Sequence, residues 1–232
     1  EFTRPIAPPK KTRFRPSSPG YCFIKQYPTF QLPFRVLFYK TIPEIHGGHP
    51  VKQLNPTLWR TCRALSGRTR LGLLRRVLAQ PDCNVSRHAE QLAIGISDAS
   101  QELRRLQSRG LLQRSCQGTA VVYLPIPDPQ VPSAAPLLKA LQTVWSGNSG
   151  TIEDVARWAM GLACERRVSI VRALSQRPRN AGELADLVRT RPDNLKKHLR
   201  VLRESGWVAK AGKTFALRPA THPVQAALLK LL

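Results

Sequence analysis

Apolar residues recur three or four positions apart from residue 55 onward, which predicts amphipathic helices in the first half of the chain. The breaks in this pattern fall at glycine and proline, as expected at helix ends. Four helices are predicted: two that meet near Ser66-Gly67, the second ending at Pro81, a short one over 86–92, and one from Ser97 to Ser108 stopped by Gly110. A hairpin follows, with strands that contain Leu111-Leu112 and residues 120–123 on either side of a polar segment at 115–119.

The second half of the chain shows the same sequence of patterns after a proline-rich stretch. Residues 125–136 contain five prolines, which predicts an extended, semi-rigid linker. Thr151 is placed to cap a helix, with acidic residues in its first turn. The predicted elements are helices over 137–145, 151–163, 167–174, 181–188 and 191–204, the last stopped by Gly206, and a hairpin with strands 207–209 and 214–217 around Lys210–Lys213.

Two stretches of the halves align at a separation of 96 to 97 residues. Residues 70–75 match 167–172, and residues 103–111 match 199–207, with one residue gained or lost in between. Each unit has the order helix, helix, turn, helix, hairpin. Self-similarity at a fixed period indicates a duplicated structural unit.

The chain is strongly basic, with 37 Lys and Arg against 14 Asp and Glu and a net charge of +23. The excess follows the two predicted units: 12 basic and 4 acidic residues in 51–124, and 16 and 7 in 147–232. Lysines and arginines that neutralise phosphates release counterions, so this charge favours a nucleic-acid partner. The alternative is a basic protein from a basic proteome with no nucleic-acid role.

Residues 1–50 differ from the rest, with nine prolines, eight basic and two acidic residues, and no helical period. We interpret them as a disordered basic segment. The only methionine is Met160, whereas Val51 opens the first well-patterned stretch and bacterial start codons can encode valine. Residues 1–50 are therefore interpreted either as sequence that is not native to the protein or as a basic tail that touches nucleic acid.

The run His-Leu-Arg-Val-Leu-Arg-Glu-Ser-Gly-Trp-Val over 198–208, with the basic residues before it, resembles a family motif. It is similar to the His-Leu-Lys-x-Leu-x-x-Ala-Gly-Leu-Val pattern of the arsenic-repressor-like (ArsR-type) regulators. The resemblance spans 55–124 and 151–219 and is weaker in the first unit, where Gln101-Glu102 replaces the basic-His pair. It implies a mainly α fold with small β-hairpin wings (α+β), formed by two winged helix-turn-helix domains in tandem, and DNA binding. Relatives often use an effector to switch.

The predicted domain organisation is a basic segment at 1–50, a first winged helix at 51–124, a linker with a short helix at 125–150, and a second winged helix at 151–232. A helix in the major groove needs polar and basic side chains for DNA and an apolar stripe that anchors it. Leu195, Leu199 and Leu202 form this stripe in the second unit. The matching stripe in the first unit includes Leu103 and Leu106.

Candidate DNA contacts follow from these placements, although charged helical residues most often form a solvated face. Asn can bind adenine, and Arg or Lys can bind guanine or phosphate. Asp98 would repel phosphate unless it caps its helix, so the first unit is expected to be the weaker reader of sequence. The candidates are Ser97, Ser100, Gln101, Arg104 and Arg105 on the first recognition helix, Arg114 and Gln117 at the first hairpin tip, Asn194, Lys196, Lys197 and Arg200 on the second helix, and Lys210 and Lys213 at the second hairpin tip.

The sequence offers little for other chemistry. Five scattered cysteines with no C-x-x-C pair fit a reducing compartment and not a disulfide framework. Metal-sensing relatives carry paired cysteines before the recognition helix, where this chain has only Cys83. We therefore expect no metal and no cofactor. No catalytic motif occurs and no apolar run of membrane length, so we expect neither an enzyme nor a membrane protein.

The sequence thus predicts a sequence-specific regulator of transcription that binds double-stranded DNA. Two recognition helices of one chain would act as a pseudo-dimer, with a homodimer as the alternative. We expect a prokaryotic, cytoplasmic, nucleoid-associated protein. Protein-interaction scaffolding and RNA binding are the competing functions, because winged helices serve in both.

Overall fold

In a computed structural model of the protein, residues 57–147 and 150–232 are described. The expectations for 1–50 lie outside these residues. The helices are Leu58–Leu65 (α1), Arg68–Ala79 (α2), Val85–Gln91 (α3), Ile96–Gln107 (α4), Ala134–Ser146 (α5), Ile152–Leu162 (α6), Glu165–Gln176 (α7), Ala181–Leu187 (α8), Pro192–Glu204 (α9) and Pro223–Lys230 (α10). The strands are Gln113–Gln117 (β1), Ala120–Leu124 (β2), Arg179–Asn180 (β3), Val208–Ala211 (β4) and Thr214–Leu217 (β5).

Small antiparallel sheets accompany these helices, which is the α+β composition of a winged helix-turn-helix fold. Nine of the helices confirm the predicted ones within a few residues. Helix α5 begins three residues earlier than predicted because Pro136 falls in its first turn, where the proline costs no helical hydrogen bond. The sequence did not predict β3 or α10, and α10 begins at another tolerated proline, Pro223. None of the described helices is long and apolar enough to cross a membrane.

The first strand of the first hairpin begins two residues later than predicted, whereas the second begins at Ala120, as predicted. Leu111 and Leu112 are buried ahead of it, and β1 begins at Gln113. The pairing of Gln117 with Ala120 confines the turn to residues 118–119. The prediction that residues 115–119 form the tip is wrong, because backbone pairing with β2 holds the polar residues of β1 in a strand although several are exposed.

The second sheet has the order β3-β5-β4, with both pairings antiparallel. In the first half, the place of β3 is taken by a single bridge between Asn84 and Val122 of β2. The residues just ahead of the third helix therefore contact the hairpin in both halves, as a two-residue strand in the second and as one bridge in the first. This contact fixes the hairpin against the helices that precede it.

Helix α6 lies at the centre of the second half. Trp207 is buried and donates from Nε1 to the backbone oxygen of Trp158 at 2.9 Å. Gly161 allows this close approach, because a Cβ there would lie 2.4 Å from Trp207 and 2.3 Å from the hydroxyl of Ser205. The start of the hairpin is thereby held directly against α6.

Each half contains an arginine that closes the end of its first helix. Arg70 donates from Nε to the oxygen of Ala64 at 2.6 Å, and Arg167 donates from Nε to the oxygen of Gly161 at 2.7 Å. Both bonds reach back six residues, and the two arginines are 97 residues apart. The carbonyl groups at a helix end lack helical partners, so each arginine satisfies one of them.

Matching asparagines cap the third helix of each half. The Asn84 side chain accepts from the Arg87 N–H, and the Asn180 side chain accepts from the Glu183 N–H, both at 2.9 Å. A side-chain oxygen at this position satisfies an N–H that the helix leaves without a partner. Two unrelated local devices thus recur at separations of 97 and 96 residues, the range in which the two halves of the sequence align.

Helices of the two halves pack against each other. The first helices, α1 and α6, are in contact, and so are the last helices, α5 and α10. Helix α2 also contacts α6, and its counterpart α7 contacts α1. Buried residues of both halves belong to one hydrophobic core, and the predicted linker contributes Val131 and most of the apolar face of α5.

Candidate nucleic-acid interface

Helix α9 presents polar side chains above an apolar anchor. Its three leucines, Leu195, Leu199 and Leu202, are buried, as the sequence predicted. The polar and charged residues of this helix are exposed, except His198, which is half-buried. Those named as candidates, Asn194, Lys196, Lys197 and Arg200, are all exposed.

Two of these basic side chains lie near acidic residues of their own helix. Lys196 Nζ is 3.2 Å from Asp193 Oδ1, and Arg200 Nε is 3.9 Å from Glu204 Oε1. All four side chains are more than two-thirds exposed. Exposed ion pairs contribute little to stability, so a phosphate can replace these carboxylates at small cost.

Helix α4 precedes the first hairpin as α9 precedes the second, and its Leu103 and Leu106 are buried as predicted. Its candidates Ser97, Gln101, Arg104 and Arg105 are exposed, and Ser100 is half-buried. The residue that caps α4 is Gly95, and no side chain makes the capping hydrogen bond. Asp98 therefore stands as an exposed carboxylate in the first turn, which disfavours phosphate there.

A salt-bridge network further reduces the positive charge of α4. Glu102 Oε2 lies 2.9 Å from Arg70 Nη1, and its other oxygen contacts Arg105. In α9 the position of Glu102 is taken by His198. Burial lowers the pKa of His198, and the charges of Arg167 and its neighbour lower it further. Helix α9 therefore has no carboxylate at this position, and its acidic residues are the exposed Asp193 and Glu204.

The first hairpin lies beside α4 and forms a groove of about 580 Å³ with it. The prediction that Arg114 lies at the hairpin tip is wrong, because Arg114 lies within β1, opposite Tyr123. There it lines the groove together with Ser100 and Arg104 of α4. Gln117 is the last residue of β1 and adjoins the turn.

The groove contains residues that the sequence analysis did not select. Ser86 and Asn84, at the start of α3, line its far side, and Ile96 and Gln107 lie on the same face of α4 as Ser100. The spacing of the α4 residues could have identified them, because positions four apart share one helix face. The contribution of α3 depends on tertiary packing.

The second hairpin holds its two candidate lysines in different settings. Lys213 follows Gly212, whose φ of +59° marks the turn, as predicted for a tip residue. Lys210 is not at the tip but within β4, opposite Phe215. Strand β4 extends to Ala211, beyond the predicted end of the strand, because backbone pairing with β5 continues to that residue.

An open hollow beside the end of α9 brings together three arginines. Arg200 and Arg203 of α9 line it with Arg218, which follows β5, and Glu204 is the acidic member. Arg218 is fixed at its backbone, where its N–H donates to the Trp207 oxygen at 2.8 Å. The sequence analysis missed Arg203, whose spacing from Arg200 gives a signal, and Arg218, whose place depends on the hairpin.

The cysteines in the described part of the chain are Cys62, Cys83, Cys116 and Cys164, and all are free thiols. Burial raises the pKa of Cys62 to about 12. No three metal-binding side chains come together within residues 57–147 and 150–232. The exposed side chains of α4, α9 and the two hairpins can contact a ligand through hydrogen bonds, charge and apolar contact.

Residues 164–210 match the family described as "Bacterial regulatory protein, arsR family". The match begins just before α7 and ends within β4, so it contains α9. No curated protein and no solved structure matches the chain. The family match supports a winged helix-turn-helix of the ArsR type, the DNA-binding fold of transcriptional regulators, in the second half of this chain.

Proposed function

We propose that the protein is a sequence-specific regulator of transcription that binds duplex DNA through two winged-helix units of one chain. One observation carries the proposal: α9, inside the segment similar to arsR-family regulators, exposes Asn194, Lys196, Lys197 and Arg200 above a buried leucine stripe. Basic and amide side chains on an anchored helix are suited to phosphates and base edges in the major groove.

The first half supports a second winged-helix unit. It has the same order of helices and hairpin, and it repeats the helix-closing arginine (Arg70) and the capping asparagine (Asn84) of the second half. Helix α5 follows the first hairpin as α10 follows the second. We therefore assign α5 to the first unit as the counterpart of α10, and restrict the linker to the segment ahead of it.

The packing of the halves supports an internal pseudo-dimer. In an interface with two-fold symmetry, an element on the axis contacts its own copy. A contact between two different elements occurs twice, once from each half. Helices α1 and α6 form such a self-pair, as do α5 and α10, and the contacts of α2 with α6 and of α7 with α1 are reciprocal. One chain would therefore present two recognition helices to inverted half-sites.

The two recognition helices are proposed to play unequal roles. Helix α9 has four lysines and arginines against two carboxylates, whereas α4 has two against two. Glu102 also engages Arg105. We propose that α9 recognises bases, while the first unit mainly holds phosphates through Arg104 and Arg114.

Binding to a selected duplex as a function of salt tests this proposal. Lys196→Ala/Lys197→Ala should weaken binding and lower the slope of log K against log salt, by about 0.9 for each phosphate that the variant no longer neutralises. The matched control is Lys139→Ala/Lys230→Ala, which removes the same charge from exposed positions on α5 and α10.

The control variant should retain the slope of the unmodified protein. Equal losses in the two variants would show that net charge, and not α9, determines binding. No binding of the full chain to duplex DNA at low salt, or stronger binding to single-stranded RNA, would refute the proposed function.

A further inference from the structure

The first residue of α4 is a large apolar side chain that the fold leaves in solvent. Ile96 is 57% exposed, more than any other large hydrophobic side chain in the described residues. It lies on the face of α4 that lines the groove beside the first hairpin. The corresponding residue of α9 is Pro192, so α9 has no large apolar side chain at this position.

The surroundings of Ile96 are polar and basic. Ser100 and Arg104 follow it at intervals of four residues on α4, and Arg114 faces them from β1. Apolar residues of α3 and β2 also line this groove, but Val85 and Tyr123 are buried and Val121 is half-buried, so Ile96 is the exposed apolar side chain in it. A docking surface for another protein would extend the exposed apolar patch beyond one side chain. The arginines favour a polyanion, and the one exposed apolar side chain suits a small apolar group within that polyanion.

In duplex DNA the major groove offers one such group, the 5-methyl of thymine. The N-terminal residues of a recognition helix are those that reach base edges. We infer that Ile96 contacts the 5-methyl of a thymine in the half-site of the first unit, and so makes that unit sensitive to one base. This inference rests on the proposed function, and it adds base recognition to a unit otherwise assigned to phosphates.

Replacing thymine by deoxyuridine tests this contact, because the substitution removes the methyl group and keeps every hydrogen-bonding group. A duplex is first selected from random sequence with the full chain, and each thymine is then replaced singly. One position should lose about fourfold in affinity, the equivalent of one buried methyl group. Ile96→Ala should bind the thymine and deoxyuridine duplexes equally at that position.

Two variants complete the test. Ile96→Val keeps an apolar group at the helix start and should retain part of the discrimination. Leu187→Ala removes another exposed apolar side chain, on α8 of the second half, and should retain all of it. The inference is overturned if Ile96→Ala keeps the thymine preference, or if no thymine can be replaced by deoxyuridine with a loss of affinity. In either case, sequence-specific binding of the duplex would still support the proposed function. Absence of any duplex binding overturns both.

Discussion

Replacing His88 by leucine should stabilise the protein. His88 lies on α3 with its side chain fully buried, and neither ring nitrogen has a hydrogen-bond partner in the described part of the chain. The corresponding position of α8, 96 residues later, is Leu184, which is also fully buried. The second half thus shows that this place in the fold accepts leucine.

The size of the effect follows from the missing hydrogen bonds and from the titration of the ring. A buried polar group without a partner costs about 1–3 kcal/mol, so His88→Leu should gain roughly that amount at pH 8. Burial, and then the charge of Arg76, lowers the pKa of His88 below its ordinary value of 6.5. As the pH falls below about 6.5, the unfolded chain binds a proton that the folded protein excludes. Stability is then lost at up to about 1.4 kcal/mol per pH unit, and leucine removes this loss.

Urea denaturation of the full chain at pH 8, 7, 6 and 5, followed by circular dichroism, measures both effects. The stability difference between His88→Leu and the unmodified protein should be positive at pH 8 and grow toward pH 5. Leu184→His is the matched control, because it should introduce the same penalty and pH dependence into the second half. A less stable His88→Leu at pH 8, or a difference that does not change with pH, would refute the reasoning.

Three further substitutions test separate features. Asn194→Ala should lose about 1–3 kcal/mol of binding free energy on a selected duplex and little on random DNA; equal losses on both would show that Asn194 does not contact a base. His198→Glu should form an ion pair with Arg167 and raise the free energy of unfolding in urea by about 0.5–1 kcal/mol, whereas a decrease would contradict the placement of this side chain. Gly110→Ala should lower the thermal midpoint of unfolding more than Gly118→Ala. Both glycines have a positive φ, +70° and +62°, but a Cβ at Gly110 would lie 2.8 Å from Val131, whereas the space at Gly118 is open. Similar midpoints for the two variants would contradict this crowding at Gly110.

The sequence was sufficient to predict most helices because their leucines are spaced for burial. Leu103 and Leu106 of α4 and the three leucines of α9 are buried as their spacing requires. The Thr151 cap of α6 was predictable for the same kind of local reason, and the structure shows the complete capping box with Asp154. Local signals of this kind depend only on near neighbours in the chain.

The parts that the sequence did not predict depend on contacts between distant residues. The bounds of the first hairpin follow from backbone pairing with β2, so Arg114 joined the groove and not the tip. Arg218 became part of the arginine hollow because its backbone is held by Trp207. The predicted proline-rich linker contacts the first half, where the Asp128 N–H donates to the Gly110 oxygen at 2.8 Å. None of these contacts has a periodic signal in the sequence.

The features that the two halves share differ in kind from those in which they diverge. The shared ones, such as the helix-closing arginines and the buried leucines, satisfy backbone groups and fill the core, and every copy of the fold needs them. The divergent pairs Ile96/Pro192 and Glu102/His198 lie on or beside the recognition helices. Identical half-sites would favour identical recognition faces, as in a symmetric dimer. Under the proposed function, divergence at these positions favours an operator with inverted but unequal half-sites, which a single chain can match and a homodimer cannot.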